Sequence, residues 1–424
     1  MRLTILHTND IHGRIDGLAR VATLVARVRE ETPHRVLYLD AGDVEETTNR
    51  LSNITKGAAM HRLLSAAGCD AATVGNAAWL RYGPQVIADH ARVARYPLLL
   101  ANLKPVDGVH DSVLLGSVGV IGVTASFAGY FGESISFGIE ALPEIPLVRE
   151  LARDLRRRGA ELVVVLSHLG YEADEAPIDD KRLAHELDGQ IDLVICAHSH
   201  HLLPAGDRIG GVVLASAGEY AQHLGRIEID GDRIGVTVIP VPDETPPHPD
   251  VVAEAERIEP EVEAFLGETL GEVDRPLDGD WIADMLRERM AAEVGLAVAG
   301  QVLSGEPLPP GPVVRGPLWD VCDSSANPGV ATISGERLRR MIEVGRSPAW
   351  IDERRRPLRG RTHERLHVSG LDPAQIDAGR EYVVGATDYE LESYGGLVER
   401  EWNLRPRYDF PTIVREAIEE HLRR

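Results

Sequence analysis

The sequence contains few cysteines, and their arrangement does not indicate a disulfide framework. Among 424 residues there are three, Cys69, Cys196 and Cys322, which are far apart and odd in number. Small secreted domains that depend on disulfides carry a dense, even set instead. The cysteine content therefore excludes a disulfide-stapled fold and favours a reducing compartment.

Positive charge is also scarce. The chain has 45 Lys and Arg residues against 67 Asp and Glu residues, which gives a formal net charge of −22. Nucleic-acid backbones and anionic membrane surfaces are bound through clustered positive charge, so we expect neither as a partner. A small phosphorylated substrate remains compatible with this charge, because bound divalent cations would reverse the local field.

Long apolar runs and targeting signals are missing as well. No stretch approaches the roughly 18–20 apolar residues of a membrane-spanning helix. The first six residues, MRLTIL, run directly into a predicted core strand, without the segments of a secretion signal before it. We therefore expect a cytoplasmic protein. The sequence also shows no internal repeat and no P-loop or dinucleotide fingerprint.

The length and composition predict two globular domains. A chain of 424 residues exceeds one ordinary domain, and its 43% hydrophobic content is enough for substantial cores. Residues 240–249 are rich in proline, and an acidic helix is predicted over 250–270. We therefore predict domains at 1–240 and 276–424, joined by a linker and connecting helix at 241–275.

Strands and helices alternate along the first 240 residues. Short β-branched runs predict strands, and apolar residues at helical spacing predict helices between them. The strands are predicted at 3–6, 36–39, 71–74, 118–123, 162–166 and 191–194, and the helices at 17–31, 55–67, 83–93 and 146–158. Segments 212–217 and 226–229 are predicted as antiparallel closing strands. This order predicts an α/β layered domain with a site at the strand ends, followed by a second α/β unit from residue 282 that ends in a helix at 411–422.

Five of the predicted strands end in residues of metal-ligand type. A His-x-His pair in a loop is a weak signal alone, but five such strand ends together are not expected by chance. Seven oxygen and nitrogen donors with one bridging carboxylate suit two metal ions about 3.5–4 Å apart. Cys196 belongs to a predicted buried strand and is not among the donors. The seven candidates are Asp10, His12, Asp43, Asn76, His168, His198 and His200.

These motifs resemble a known family. The segments TNDIHG at 8–13, Gly42-Asp43, Gly75-Asn76, SHLG at 167–170 and HSH at 198–200 are together similar to calcineurin-like metallophosphoesterases, and more closely to the 5′-nucleotidase and UDP-sugar hydrolase family. Residues 317–331, 334–338 and 383–396 resemble that family's C-terminal domain. The resemblance implies a four-layer α-β-β-α sandwich followed by a second α/β domain of the 5′-nucleotidase type.

The resemblance also implies roles for the seven candidates. Asp10, His12 and His200 would hold one divalent ion, and Asn76, His168 and His198 would hold the other. Asp43 would bridge the two ions, whose identity is left open among Mn, Zn, Fe, Co and Ca. Such a centre hydrolyses phosphoric esters with a hydroxide that the metals generate from water.

The sequence departs from the family where a catalytic histidine is usual. The family pattern Gly-Asn-His-Glu-x-Asp is replaced by GNAAWL at 75–80, so Ala77 stands at the histidine position and Leu80 at that of its carboxylate partner. General-acid assistance is worth about 10²–10⁴ in rate. Three other residues are candidates for this role: Arg14, Arg81 and His223. The catalytic residues other than the metal ligands are therefore unassigned.

The nucleobase pocket of the family is altered too. Ser325 and Leu391 stand at its two aromatic positions, and Ser304 stands near the position of an expected arginine. Gly395-Gly396-Leu397 replaces Gly-Gly-Asp, and Asn327 alone is kept, so Asn76 and Asn327 are the predicted substrate-binding residues. If the alignment with the family pattern is shifted, Tyr389 and Tyr394 would offer an aromatic face for the base.

The sequence thus predicts a dinuclear metal-dependent phosphohydrolase that cleaves a phosphomonoester or phosphodiester other than a standard 5′-nucleotide. Two alternatives remain at this point. The chain is a genuine 5′-nucleotidase or UDP-sugar hydrolase despite its substitutions, or it is a non-catalytic protein that holds metals and a phosphorylated ligand. The substrate, the metals and the oligomeric state do not follow from the sequence.

Overall fold

The chain divides into two units, residues 1–262 and 263–424. The structure is a computed structural model that describes residues 1–46, 49–125, 139–172, 178–322, 324, 326–353 and 364–424. The helix predicted as a connector is present as Pro249–Leu266, and the division falls inside it. The domain boundaries at 240 and 275 remain a prediction.

The first unit is built mainly from two mixed β-sheets, with helices between consecutive strands. Its described strands are β1 (Arg2–Thr8), β2 (Val36–Asp40), β3 (Ala71–Thr73), β4 (Leu98–Leu99), β5 (Leu103–Lys104), β6 (Ser112–Leu115), β7 (Val118–Thr124), β8 (Glu140–Ala141), β9 (Leu162–His168), β10 (Leu193–Cys196), β11 (Asp207–Ile209), β12 (Val212–Ala215), β13 (His223–Asp230) and β14 (Arg233–Pro240). Its helices are α1 (Ile15–Glu31), α2 (Arg50–Ile54), α3 (Ala58–Ala66), α4 (Ala77–Tyr82), α5 (Gln85–Val93), α6 (Glu144–Arg157), α7 (Asp180–Glu186) and α8 (Pro249–Leu266), of which α8 extends past the division.

Each main sheet has a run of parallel strands, with antiparallel strands at one edge of the first sheet and at both edges of the second. In the described residues the first sheet has the order β14-β13-β1-β2-β3-β4, with β1 to β4 parallel. The second has the order β11-β12-β10-β9-β7-β6, with β7, β9, β10 and β12 parallel. Parallel strands place their carboxyl ends along one edge, where α/β proteins commonly bind ligands.

The two sheets pack face to face around a shared apolar core. Leu3 and Ile5 from the first sheet and Val164 and Leu193 from the second belong to one buried cluster. Alternate residues of each strand point to opposite faces, so both faces of these apolar strands must be covered. The inner faces cover each other, and helices cover the outer faces.

Helices cover the outer faces through amphipathic stripes. The buried stripe of α1 includes Leu18, Val21, Val25 and Val28, at the spacing of one helix face. On the second sheet, α6 and α7 contribute to a separate apolar cluster with the outward residues of β9 and β10. The order helix, sheet, sheet, helix is the predicted four-layer sandwich, and the α/β fold class is confirmed.

The second unit is a smaller α/β arrangement. Its described elements are β15 (Thr269–Val273), α9 (Gly279–Arg289), β16 (Val294–Val298), α10 (Ala299–Val302), β17 (Gly311–Val314), α11 (Arg315–Val321), β18 (Pro328–Ser334), α12 (Gly335–Arg346), α13 (Pro348–Glu353), β19 (Leu366–Ser369), β20 (Glu381–Thr387), α14 (Asp388–Leu391), β21 (Arg407–Tyr408) and α15 (Val414–Leu422). A five-stranded sheet has the order β19-β16-β20-β18-β21 among the described residues, and helices pack on it. The prediction of a second α/β unit ending in a helix is confirmed.

Some local predictions were wrong. Segment 212–217 was predicted to be antiparallel, but β12 pairs in parallel with β10 and is antiparallel only to β11. The helix predicted at 55–67 is confirmed as α3, and the separate short helix α2 precedes it, because Gly57 adopts a positive φ of 89° between them. Helix α4 was not predicted, since its six residues are too few to show helical periodicity.

One face of helix α8 is buried, so the helix differs from a fully solvated connector. Val251, Ile258 and Val262 on this helix are at most 1% exposed. Within the first unit, Glu254 accepts a hydrogen bond of 2.7 Å from Arg62 Nε of α3. The N-terminal part of α8 is therefore anchored to the first unit by apolar burial and an ion pair.

Cys69, Cys196 and Cys322 are buried, and none of the three forms a disulfide. Within the described ranges, none of the helices combines the length and the apolar character that crossing a membrane requires.

Candidate metal centre

All seven predicted ligands lie at the carboxyl ends of parallel strands. Asp10 and His12 follow β1, Asp43 follows β2, and Asn76 follows β3. The remaining three come from the second sheet: His168 ends β9, and His198 and His200 follow β10. Because β1, β2 and β3 are neighbours in one sheet and β9 and β10 are neighbours in the other, the five loops meet at one edge of the sandwich.

The backbone at this edge is unusual. Five of the seven residues have positive φ angles although none is a glycine: Asp10 at 51°, His12 at 47°, Asp43 at 53°, His198 at 70° and His200 at 57°. Such conformations cost free energy and cluster at ligand-binding and active sites. The loops thus accept backbone strain in order to turn these side chains toward one point.

Two glycines make this close approach possible. Gly42 has a φ of 97°, and a Cβ atom there would lie 2.9 Å from His168 Nδ1. Gly75 packs directly against Asp43. Larger residues at either position would displace a predicted ligand.

Asp10 occupies the middle of the cluster and is fully buried. Its Oδ1 lies 3.5 Å from His200 Nε2, 3.8 Å from His12 Nε2 and 3.9 Å from His168 Nε2. Asn9 Nδ2 donates a hydrogen bond of 2.9 Å to the other oxygen, Oδ2. His12 Nε2 and His200 Nε2 are 3.1 Å apart, so three imidazoles and a carboxylate converge on one small volume.

Asp43 and His168 form a tightly coupled pair in this volume. Asp43 Oδ2 lies 3.2 Å from His168 Nε2 and 4.0 Å from His12 Nε2, which places the carboxylate between two imidazoles. Burial opposes the charge on Asp43, but His168 and His12 outweigh it and hold the pKa of Asp43 well below its usual range. Burial also opposes the charge on His168, yet Asp43 and Asp10 raise the pKa of His168 to about 10.

Asn76, His168 and His198 form the other side of the cluster. Asn76 Oδ1 lies 3.1 Å from His168 Nε2 and 2.8 Å from His198 Nδ1. Burial is the main reason that the pKa of His198 is lowered, to about 4. A neutral imidazole of this kind has a lone pair available for a metal.

The orientation of His168 is fixed from behind. His168 Nδ1 is 2.8 Å from the Ala41 carbonyl oxygen, which can only accept a hydrogen bond. The Nδ1 atom therefore carries the hydrogen, and Nε2 faces the cluster. A backbone carbonyl behind a ligating histidine is a common feature of metal sites.

Sequence reasoning missed the acidic residues that stand behind two other histidines. Glu219 contacts His200 Nδ1, and Glu46 Oε2 lies 3.6 Å from His12 Nδ1. Asp10 is the largest cause of the raised pKa of His200, and Glu219 contributes. Glu219 lies beyond β12, far from any recognised motif, so sequence spacing gave no signal for it.

The candidates for a replacement acid have different surroundings. The exposed Arg14 stacks on Tyr220, with Cζ 4.6 Å from the ring centroid, and the Tyr220 ring centroid is 5.7 Å from that of His12. Arg81 stacks on Tyr82 at 4.7 Å. His223 begins β13, and its Nδ1 is 3.9 Å from the position that a Cβ atom on Gly218 would take.

Ala77 begins α4 beside the cluster. Its backbone N–H donates a hydrogen bond of 2.8 Å to Asp43 Oδ1. Its methyl group offers no proton to a substrate. Leu80, three residues further along α4, offers no carboxylate either.

The predicted nucleobase residues of the second unit do not form an exposed aromatic clamp in the described residues. Leu391 is fully buried, and Tyr389 is 2% exposed, with its hydroxyl donating to the Gly395 carbonyl oxygen at 3.2 Å. Both belong to the apolar core of the sheet. Ser325 and the side chain of Tyr394 lie outside the described residues.

The two remaining predicted residues of this pocket have structural contacts. Asn327 Nδ2 donates to the Thr412 carbonyl oxygen at 2.8 Å, and the Asn327 backbone N–H donates to Asp388 Oδ1 at 3.1 Å. The Ser304 backbone N–H donates to the Val321 carbonyl oxygen at 2.7 Å. These bonds hold loop backbones in place.

The donor set fits divalent metal ions. Asp10, His12 and His200 form one group whose ligand atoms all lie within 4.8 Å of one another, and Asp10, Asp43 and His168 form another. Imidazole nitrogen and carboxylate oxygen suit Zn, Mn, Fe and Co. The chain therefore contains residue groups that could bind metal at the predicted edge.

Comparison with known proteins agrees with this geometry. Residues 3–202 match the calcineurin-like phosphoesterase family. The metallophosphoesterase YunD of Bacillus subtilis is 24% identical over 370 residues, covering 80% of this chain and 77% of YunD. The trifunctional nucleotide phosphoesterase YfkN of the same organism is 26% identical over 417 residues, covering 81% of this chain but only 28% of YfkN.

A solved structure extends the likeness to the whole fold. The 5′-nucleotidase precursor from Thermus thermophilus superposes with a TM-score of 0.59 at 21% identity, covering 100% of this chain and 96% of that one. Such a likeness shows the fold, including its C-terminal part.

The fold and the residue groups at its edge define a metal-dependent phosphoester hydrolase. Residues 3–202 match the calcineurin-like phosphoesterases, and the relatives of the chain include 5′-nucleotidases and metallophosphoesterases. The predicted resemblance is confirmed.

Proposed function

We propose that the chain is a dinuclear metal phosphohydrolase that cleaves a phosphomonoester or phosphodiester other than a standard 5′-nucleotide. One divalent ion would be held by Asp10, His12 and His200, and the second by Asn76, His168 and His198. Asp43 would bridge them. Bound at this edge, the two ions would activate water near neutral pH and offset the negative charge that builds on the phosphoryl oxygens.

The observation that carries this proposal is the position of Asp43. Its Oδ2 stands between His168 Nε2 at 3.2 Å and His12 Nε2 at 4.0 Å, and these two histidines are assigned to different ions. A bridging carboxylate needs access to both ions. The contacts of Asp43 Oδ2 with one histidine assigned to each ion support this role.

The residues around the ligands support metal binding by orienting them. The Ala41 carbonyl holds His168, and Glu219 contacts His200 on the side away from the cluster. The backbone N–H of His198 lies 3.0 Å from Asp10 Oδ2 and donates to that carboxylate. Such second contacts typically change metal affinity by about 10–100-fold.

An open cavity of about 690 Å³ in the first unit adjoins the loop of His12, and none of the seven proposed ligands is among its lining residues. Its lining includes Gly13, Arg14 and Tyr220, which adjoin His12 in sequence or in space. A guanidinium can bind phosphate oxygens in a bidentate manner, so Arg14 would attract a phosphorylated substrate into a strongly acidic protein. We therefore propose Arg14 as a substrate-binding residue.

The substrate preference rests on two substitutions. Ala77 supplies no proton to a leaving group, which favours esters whose leaving group departs as a stable anion. Leu391 and Tyr389 are buried in the core and present no ring for base stacking. Both substitutions weaken the case for ordinary nucleotides, although 5′-nucleotidases are among the relatives.

The test is turnover by fully metallated protein. Loaded in turn with Mn, Zn, Co, Fe or Ca, the protein should hydrolyse an activated aryl phosphate monoester or diester and lose this activity on chelation. Asp43→Asn should be inactive, whereas Asp154→Asn on the outer helix α6 should retain full activity. Faster turnover of AMP or UDP-glucose than of the aryl esters would favour a genuine nucleotidase. No turnover with any of these metals would falsify the proposal and leave a binding protein.

A further inference from the structure

A second cluster of metal-ligand side chains lies outside the edge described above. Glu45 follows Asp43 by two residues, His61 lies on α3, and His90 lies on α5. Their exposed fractions are 6%, 2% and 2%. All three offer ligand atoms within 4.8 Å of one another. None of them was predicted from the sequence, because neither histidine belongs to a recognised motif.

The three side chains converge on one carboxylate oxygen. Glu45 Oε1 lies 2.5 Å from His61 Nε2 and 3.3 Å from His90 Nδ1. The two imidazole rings are nearly stacked, with centroids 4.4 Å apart and planes inclined at 31°. Two nitrogen atoms and one oxygen atom thus face a common point in the protein interior.

The far side of each imidazole is held by an oxygen atom. His90 Nε2 lies 2.7 Å from the Lys56 carbonyl oxygen, and His61 Nδ1 lies 2.8 Å from the Tyr96 hydroxyl. A carbonyl oxygen only accepts, so His90 Nε2 carries the hydrogen. A neutral His90 then turns the lone pair of Nδ1 toward the carboxylate of Glu45.

Two lone pairs that face each other in a buried site repel unless a positive charge lies between them. The charge is either a proton held within the cluster, as in the 2.5 Å contact between His61 Nε2 and Glu45 Oε1, or a metal cation. Several features favour the metal. Ligating histidines usually donate their outer N–H to a carbonyl or another oxygen, as His90 does. Two histidines and one glutamate are also a known zinc ligand set.

The spacing is close to that of a tetrahedral site. With metal–ligand bonds of about 2.0–2.2 Å, neighbouring ligand atoms stand about 3.3–3.6 Å apart. The separation between Glu45 Oε1 and His90 Nδ1 is 3.3 Å, which already fits. The His61 contact at 2.5 Å would lengthen by about 1 Å on metal binding.

The backbone around the cluster is held tightly. Lys56 has a φ of 50° although it is not a glycine, and this conformation accompanies the contact of its carbonyl with His90. A Cβ atom on the next residue, Gly57, would lie 2.6 Å from Glu45 Cγ and 2.8 Å from His90 Nε2. The backbone of residues 56 and 57 therefore encloses the site on this side.

We propose that Glu45, His61 and His90 form a separate, buried binding site for a divalent cation of the zinc class. The ion would link the loop after β2 to helices α3 and α5. Since this loop carries Asp43, the ion would also restrict the motion of the loop that positions Asp43 in the edge cluster. The proposal does not depend on the chemistry at that cluster.

The direct test is anomalous diffraction from crystals of the wild-type protein grown with Zn²⁺. A peak within bonding distance of Glu45, His61 and His90, separate from any peak at Asp43, is expected. Peaks at the edge cluster without one here would overturn the proposal and assign the charge to a proton held within the cluster. This measurement needs no variant, so it tests the proposal even if substitutions at the cluster impair folding.

Metal content gives an independent measurement. After loading with Zn²⁺ and removal of free ions, His61→Gln and His90→Gln should each contain one equivalent per chain less than wild type. His185→Gln, which changes an exposed histidine on α7, should match wild type. His198→Gln at the edge should leave the buried equivalent in place. Equal zinc content in His90→Gln and wild type would contradict the proposal.

Tyr96→Phe tests the contact behind His61 without removing a ligand. Loss of the hydroxyl should weaken zinc retention against a chelator by about 10–100-fold. The Tyr96 hydroxyl is a positioning group, so the zinc-free stability of Tyr96→Phe should change much less than its zinc affinity. An unchanged affinity would argue against metal at this cluster.

Discussion

Gly75 and Asp43 are in such close contact that a Cβ atom on Gly75 would lie 2.0 Å from Asp43 Oδ1 and 2.2 Å from the Asp43 backbone nitrogen. Because one of these atoms belongs to the backbone, a rotamer change cannot remove the clash. We expect Gly75→Ala to displace the loop of Asp43, lower the free energy of unfolding by about 1–3 kcal/mol and reduce metal occupancy. Urea denaturation and metal analysis measure the two effects.

A matched control is available in the same unit. Gly235 on β14 has no heavy atom within 4 Å of its ideal Cβ position and lies on the surface. Gly235→Ala should therefore leave metal occupancy unchanged. If Gly75→Ala binds metal as wild type does, the loop is more adaptable than its packing indicates.

The sequence predicted the edge cluster because its ligands follow strands at short range. A buried strand that ends in a ligand-type residue is visible in the sequence, and parallel strands bring such ends together. Asp10 and His198 are 188 positions apart and nevertheless meet, since the His198 backbone N–H donates to Asp10. The order of parallel strands was sufficient to predict that residues so far apart in the sequence would meet.

Features that depend on packing between distant segments were not predictable. Glu219 contacts His200 from a loop after β12, and Glu45 meets His90 from another element. The direction of β12 was also mistaken, because a short apolar strand has the same pattern in either orientation. Pairing direction follows from the chain path that connects the strands.

Glu219 provides a test of how strongly a residue behind a proposed ligand affects metal binding. It contacts His200 Nδ1 and favours the orientation in which Nε2 faces Asp10. Glu219→Gln should weaken metal affinity by about 10–100-fold and leave the fold intact. Competition with a chelator measures the affinity. Glu272→Gln, on the exposed face of β15, is the control, and an equal loss in both would indicate a general charge effect.

Asp180 predicts a pH dependence of stability. Its carboxyl group is fully buried and accepts a hydrogen bond of 2.5 Å from Ser167 Oγ. Burial raises the pKa of Asp180 to about 7 from its ordinary value of 3.8. Between these values the folded state binds more protons than the unfolded state, so stability falls as the pH rises through this window.

Asp180→Asn removes this ionisation while keeping the size of the side chain. In metal-free protein, the variant should gain stability relative to wild type by roughly 1.4 kcal/mol per pH unit across the window, with no further gain above pH about 7. Denaturant titrations in chelator at pH values of about 4, 5.5, 7 and 8 measure the difference. A constant difference across this range would show that Asp180 titrates normally.

Ala77 offers the most informative gain of function. Its backbone N–H donates to Asp43 Oδ1 at 2.8 Å, so a histidine at this position would start beside the proposed bridging ligand. We expect Ala77→His to accelerate hydrolysis of esters with poor leaving groups by about 10²–10⁴, and to have little effect on activated aryl esters. The reason is that only a poor leaving group needs a proton in the transition state.

The size of this gain should depend on Leu80, because a general acid works best when a carboxylate orients it. Leu80 follows Ala77 on the same helix, and Ala77→His with Leu80→Asp should therefore exceed Ala77→His alone. Ala77→Asn is the matched control, since it hydrogen-bonds but does not titrate near neutral pH. Comparing kcat for an alkyl and an aryl phosphate separates proton donation from improved binding. The contrary outcome is that Ala77→Asn and Ala77→His accelerate hydrolysis of both esters to the same extent. In that case the added side chain acts through its polarity, and the lack of a proton donor does not limit the wild-type reaction.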